Sequence, residues 1–381
     1  MANNQDFILK NALEVGKDTK VTLGSVTTVG VVGYNLSGAA YDGVSFSVAS
    51  QEGSPTGLFF KPDGTKMYVL GYGGDDINEY TLSTPWDIST ASYVQVFSVA
   101  AQDTVPYGLF FKPDGTKMYV SGTAGDDVNE YTLSTPWDIS TASYLQNFSV
   151  AAQDTAPYGL FFKPDGTKFY IIGAIGVDIN EYNLSTPWDI STASYLQNFS
   201  VSSQDTSPTS VFFNSDGTKV FVLGFTGKNV IEYSLGTPWN ISTASHVRDF
   251  SVVTQDTAPS SVFFKPDGMK MYIIGQIADT VYQYSTVAHD NDVSLSTGNY
   301  FAETLTGNTT YTFSNAGAVQ AFQMEITGAS TYIITWPASV EWPFNGFAPD
   351  APAAGETDVY TFVTDDGGTT YIGLLTTNAA Q

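Results

Sequence analysis

Four aspartates spaced by 51 residues, Asp103, Asp154, Asp205 and Asp256, stand in copies of a Gln-Asp-Thr segment. A second set, Asp75, Asp76, Asp126, Asp127 and Asp178, recurs with the same period. Carboxylates accept hydrogen bonds from sugar hydroxyls, hold hard cations, or work as acid and base when their surroundings differ. Tyr72 and Phe225 share one register beside the second set, where the other copies carry Thr123, Ala174 and Gln276. Exposed aromatic rings next to carboxylates suit sugar or protein ligands. The candidate binding residues are therefore Tyr72, Asp75, Asp76, Asp103, Asp126, Asp127, Asp154, Asp178 and Phe225.

Other chemistry is poorly supplied. The 381 residues contain no cysteine, which excludes disulfides, thiolate metal sites and cysteine nucleophiles; only His246 and His289 offer an imidazole. The acidic loops lack the alternating Asp-x-Asp-x-Asp-Gly pattern of a calcium loop, so no metal and no cofactor are expected. With 14 basic and 38 acidic residues the net charge is −24. A chain so acidic can hardly build the cationic face that nucleic acid demands. No stretch is apolar for long enough to span a bilayer, and no secretory signal is evident at the start. Near-identical repeats would surround a central mouth with equivalent groups, whereas an acid and base pair needs unlike environments. The expectation is a protein with no catalytic residues and no enzymatic activity.

The elements that position the candidate residues follow from the repeat itself. Asp63, Asp114, Asp165, Asp216 and Asp267 each precede a glycine in copies of Phe-Phe-Lys-Pro-Asp-Gly-Thr-Lys, always 51 residues apart; the fourth copy reads Phe-Phe-Asn-Ser-Asp-Gly and the fifth carries Met269 for Thr. Aromatics are 14% of the chain, with 35 Gly and 17 Pro as punctuation, and helical periodicity is slight. Short aromatic and β-branched runs separated by Gly and Pro turns predict a four-stranded propeller blade. In the first unit residues 57–60, 66–70, 77–82 and 93–99 are the expected strands a to d.

Five sets of a, b and c strands are present, but the Thr-Pro-Trp connection to strand d follows only four, at Trp86, Trp137, Trp188 and Trp239. Residues 45–48 match the end of a d strand one period early, Phe46-Ser47-Val48 against Phe97-Ser98-Val99, and are expected to complete the last blade, leaving no open edge. Residues 44–287 thus read as a five-bladed propeller rather than an open solenoid. Its Phe-Lys-Pro-Asp-Gly-Thr-Lys-Met-Tyr-Val run resembles the blade signature of the YVTN and NHL-like propellers, which implies a fold and not a function. The d-to-a and b-to-c loops should share one face, the one carrying the candidate residues. The repeated Trp is expected to be a hydrophobic clasp at the c-to-d corner.

Residues 288–381 are nonrepetitive, with strand-like runs at 293–296, 300–305, 310–313, 321–326, 331–336, 359–363 and 370–375, and an antiparallel β-sandwich is expected. The order of Ser294-Leu295-Ser296-Thr297-Gly298-Asn299-Tyr300-Phe301, Thr306-Gly307-Asn308-Thr309-Thr310-Tyr311-Thr312-Phe313, Thr335-Trp336-Pro337-Ala338 and Asp358-Val359-Tyr360-Thr361-Phe362-Val363 resembles a C-terminal module of bacteriophage tail-fibre and other virion proteins. Asp6-Phe7-Ile8-Leu9-Lys10-Asn11-Ala12-Leu13 resembles the opening of marine phage, including cyanophage, structural proteins. The resemblance implies a virion appendage displayed on the particle surface, in which residues 1–43 attach or oligomerise. It implies other virion proteins and further copies of the chain, as a homotrimer, for partners, and a host-surface glycan or protein as the propeller's target. A tail fibre or spike component is the main expectation. A capsid decoration or head-fibre protein, and a propeller lectin or glycan-processing enzyme, are the alternatives.

Overall fold

A computed structural model describes residues 27–28, 31–286, 288–289, 292–295, 300–305, 309–314, 316–328, 333–343 and 348–377. The matched segment at residues 6–13, and parts of the first two C-terminal motifs (296–299 and 306–308), lie outside them. Two compact units are present, one of residues 31–288 and one formed by the remainder.

The first unit is a five-bladed β-propeller. In blade 1, Pro55–Phe60, Lys66–Gly71, Asp76–Leu82 and Ala91–Ser98 pair in sequence as an antiparallel sheet, and blades 2 to 4 repeat this order. Strand a is buried along its whole length because it stands innermost, with neighbouring blades on both sides. Strand d alternates half-buried and exposed residues, as an outer strand must.

The Asp-Gly turn between a and b has two tasks. Asp63 Oδ1 accepts the Thr65 N–H at 3.0 Å and its hydroxyl at 2.6 Å, closing the turn. Gly64 sits at φ +75, and a Cβ there would lie 2.4 Å from the Trp86 ring. Each Trp rests on the turn of its own blade and stacks on a strand-a phenylalanine, Trp86 on Phe60 at 5.7 Å and Trp137 on Phe111 at 5.6 Å. The Trp backbone takes φ of +63 to +68, a left-handed corner held by the hydrogen bond of its N–H to the turn glycine's carbonyl.

Adjacent blades are clasped by polar groups as well. Lys66 Nζ donates to Glu79 and to the Trp137 carbonyl of the next blade, which also accepts the Tyr68 hydroxyl. Gln95 bridges Glu79 and Asp138. The same set recurs with Lys117, Glu130 and Gln146 against Trp188 and Asp189. Glu79 and Glu130 thus each have a cation and an amide donor, the condition under which a buried charge is tolerated.

Closure involves more of the N-terminal side than the repeat spacing implies. Strand Ala40–Ser47 completes blade 5 against Thr280–Ser285. The missing fifth corner is there too: Tyr34 occupies the Trp position at φ +60, donates its N–H to Gly268 and its hydroxyl to Pro266, and packs on Phe264. Asn35 caps the short turn Leu36–Gly38 as Asp87 caps Ile88–Thr90. The propeller therefore begins near residue 31, and the boundary placed at 44 is corrected. Blade 5 has Gln283 where blade 1 has Glu79, and Asp42, from the added strand, supplies the carboxylate for Lys270 at 2.6 Å.

On the axis, Phe59, Phe110, Phe161, Phe212 and Phe263 form a closed ring. Successive centroids are 5.2 to 5.4 Å apart and every pair meets edge to face. The ring lies within a cavity of about 280 Å³ that follows the strand-a lining of the channel.

The second unit is a six-stranded mixed sheet. Gln320–Thr327, Thr357–Thr364 and Tyr371–Thr377 are antiparallel neighbours, while Tyr300–Thr304 joins Gln320–Thr327 in parallel. Val340–Glu341 also joins in parallel, so the expected antiparallel pattern holds at the centre and not at the edges. Thr27–Thr28 adds a further parallel edge against Phe301. Its core gathers Phe301, Tyr311, Phe322, Trp336, Tyr360 and Phe362.

Candidate functional site

The d-to-a and b-to-c loops of each blade are joined by one carboxylate. Asp103 accepts the N–H groups of Val105 and Gly125 at 2.7 and 3.1 Å, and Asp154 those of Ala156 and Gly176 at 2.6 and 2.8 Å. Asp205 and Asp256 do the same in blades 4 and 5, and Glu52 takes the role in blade 1 through Ser54, Gly73 and Gly74. Gly122 is required beside it, since a Cβ there would lie 2.2 Å from the Asp103 carboxyl carbon. Asp103 and Asp154 are each 2% exposed. Their assignment to a ligand-facing set is corrected: loop N–H groups that would otherwise be unpaired claim both carboxylates.

Asp76, Asp127 and Asp178 open strand c one step inward. Asp127 accepts from Asn129 and Asn147, and Asp178 from Asn180 and Asn198, both nearly buried. Asp76 receives only Asn78, because Val96 stands where blades 2 and 3 carry Asn147 and Asn198. Burial and the nearby Glu52 charge push the Asp76 carboxyl up to about 6. Asp127 and Asp178 are also raised by burial, against the pull of their amides. Asp75 and Asp126, at φ +50 and +51, shape the b-to-c tip, and their carbonyls accept the Val99 and Val150 N–H groups. Both remain partly exposed.

The aromatic residues divide by blade. Tyr72, 39% exposed, faces Tyr107 at 6.1 Å, and Tyr107 packs on Tyr158 at 4.2 Å. This series leads from the tip of blade 1 to the channel mouth, where Tyr107 also lines the axial cavity. Phe225 is equally exposed but stands in blade 4, with Lys228 Nζ 5.5 Å from its ring centroid. Ile175 and Ile277, 68% and 70% exposed, occupy the next register in blades 3 and 5. The nine selected residues therefore form no single cluster. Tyr72, Asp75 and Asp76 share blade 1, while the others are distributed round the ring. Tyr107, Tyr158 and Glu52 were missed. Their signal was substitution within a copied segment, since Thr56, Thr209 and Ser260 replace the two tyrosines in the other blades.

Among the described residues no three His, Asp or Glu side chains converge as a metal site. No helix among them is long and apolar enough to cross a membrane.

No family model and no curated protein matches this chain. Solved structures do share the propeller. A putative 6-phosphogluconolactonase from Bacteroides uniformis is 14% identical at a TM-score of 0.40, over 60% of this chain and 65% of that one. The periplasmic gluconolactonase PpgL of Pseudomonas aeruginosa is 17% identical at 0.38, over 61% and 66%. A luciferin-regenerating enzyme is 14% identical at 0.41, over 63% and 94%. This chain thus spans just under two thirds of the Bacteroides protein. These likenesses concern the fold. The names of these propellers, lactonases and a luciferin-regenerating enzyme, run against the expectation of no enzymatic activity, while the likeness itself shows the fold alone.

Proposed function

We propose that the loop face of the propeller binds a carbohydrate chain. The observation that supports this most is the aromatic series Tyr72, Tyr107 and Tyr158, rising from the channel mouth to an exposed tip beside Asp75 and Asp76. Sugar rings stack their C–H faces on such platforms while carboxylates take their hydroxyls. The flanking resemblance supports, as part of the same proposal, a tail fibre or spike component displayed on a virion surface, held by other virion proteins and by copies of itself, with a host-surface glycan as target. Screening the full chain on immobilised glycans tests the reading. Binding that falls at least tenfold in Tyr72→Ala and Tyr107→Ala is expected; binding untouched by both substitutions refutes it.

A second reading is supported by the Asp76 and Glu52 pair. Glu52 is held as an acceptor by three backbone N–H groups, while Asp76 retains a proton up to about pH 6. Such a pair suits proton donation to a leaving oxygen of a bound saccharide. Reducing-end release or lactone opening that disappears in Asp76→Asn, with glycan binding preserved, is the outcome this reading requires.

A further inference from the structure

Apart from the carbohydrate reading, though Tyr107 borders both sites, we propose that the axial channel is a binding site for a neutral apolar small molecule somewhat larger than benzene, such as naphthalene. The cavity of about 280 Å³ has no charged side chain in its lining. Its waist is the ring of five phenylalanines, whose centroids, about 5.3 Å apart, lie on a pentagon of about 4.5 Å radius.

The occupant's class follows from what the lining offers. Three of the hydroxyls in the lining are already engaged by backbone: Thr56 donates to the Leu70 and Pro106 carbonyls, Thr209 donates to Leu223, and Ser210 accepts the Val262 N–H. An ion entering would lose its hydration and find no counter-charge. An apolar guest loses only unfavourable hydration and gains contact with aromatic edges. A sealed cavity of about 150 Å³ lined by Leu, Ile and Phe accepts benzene; this one is nearly double that and opens to solvent at its mouth.

The repeat supplies a conservative way to fill the site. Blades 1 to 3 place Leu58, Leu109 and Leu160 at a register where blades 4 and 5 have Val211 and Val262, all buried against the cavity. Val211→Leu with Val262→Leu introduces side chains that the fold already accommodates in its other blades, and narrows the space.

Equilibrium dialysis of the full chain against naphthalene is the test. Saturable uptake of one molecule per chain is expected, with naphthalene-2-sulfonate and 2-naphthylmethylammonium at least tenfold weaker. The double variant, with unchanged circular dichroism, should bind at least fivefold more weakly. Absence of saturable uptake overturns the proposal. So does a cation that binds as well as naphthalene, which would indicate adsorption to the acidic surface. A folded double variant with wild-type affinity overturns it equally. Were that variant not to fold, the contrast between neutral and charged guests on the wild-type chain decides.

Discussion

Replacing Asp76 by Asn should stabilise the propeller at neutral pH and lose that advantage in acid. The carboxyl is raised from 3.8 to about 6, first by burial and then by Glu52. A folded value above the unfolded one means that the native state binds the proton more tightly. Its stabilising contribution is therefore complete below pH 3.8 and lost as pH rises through about 6. A shift near two units corresponds to about 3 kcal/mol as a ceiling. Asp76 is only half-buried, so solvent screening reduces this to about 1 kcal/mol. Asn at this register is already found in blade 4 as Asn229, which makes the replacement sterically modest. Urea unfolding of the full chain at pH 7.5 and pH 4 reads both signs: a gain of about 1 kcal/mol at the first and none at the second. Val96→Asn, which recreates the Asn147 contact of blade 2, should lower the Asp76 carboxyl in a carbon-13 titration. A destabilised Asp76→Asn at pH 7.5, or an equal gain at both pH values, would refute the reasoning.

Other expectations rest on the clasps. Glu130→Gln leaves the Lys117 ammonium beside a neutral amide in a buried site and should cost about 3 kcal/mol in urea unfolding, against no loss for exposed Asp114→Asn beyond about 0.5 kcal/mol. Gly115→Ala forces a Cβ at φ +73 to within 2.4 Å of Trp137 and should lower the melting temperature and alter the near-ultraviolet circular dichroism of the tryptophans. Tyr34→Ala removes the fifth corner and should destabilise by about 3 kcal/mol, while Tyr34→Trp, the residue of the other four corners, should hold most of the stability.

Much of the propeller is readable because each blade repeats its turn chemistry in step. The fifth corner escaped for a definable reason. In blade 1 the bulge between Glu79 and Tyr80 skips only Val94, whereas in blade 5 the equivalent bulge skips Asp42 and Gly43. That one extra residue shifts Tyr34 to 52 positions before Trp86, out of step with a 51-residue period, and Tyr replaces the marker Trp. The buried aspartates were visible as a pattern, but whether a loop carboxylate turns outward or caps backbone N–H groups depends on loop geometry that residue types do not encode. In the C-terminal sheet, alternation marks strands without specifying parallel or antiparallel neighbours, so the parallel edges were hidden.

The pairing of Ala40–Ser47 with Thr280–Ser285 also sets a timetable for the nascent chain. Ser47 leaves the ribosome 238 residues before Ser285. At typical elongation rates of about 5 to 20 residues per second, that is a wait of roughly 12 to 50 s. Throughout it the first strand has no mate, and until Phe263 is made the aromatic ring on the axis lacks its fifth member. Blades 1 to 4 can form in turn as they emerge, but the first and last strands synthesised must meet before any part of the circle is finished. A chain released early, short of residue 280, would carry four blades and an unmatched strand, and would be a substrate for chaperones rather than a smaller propeller.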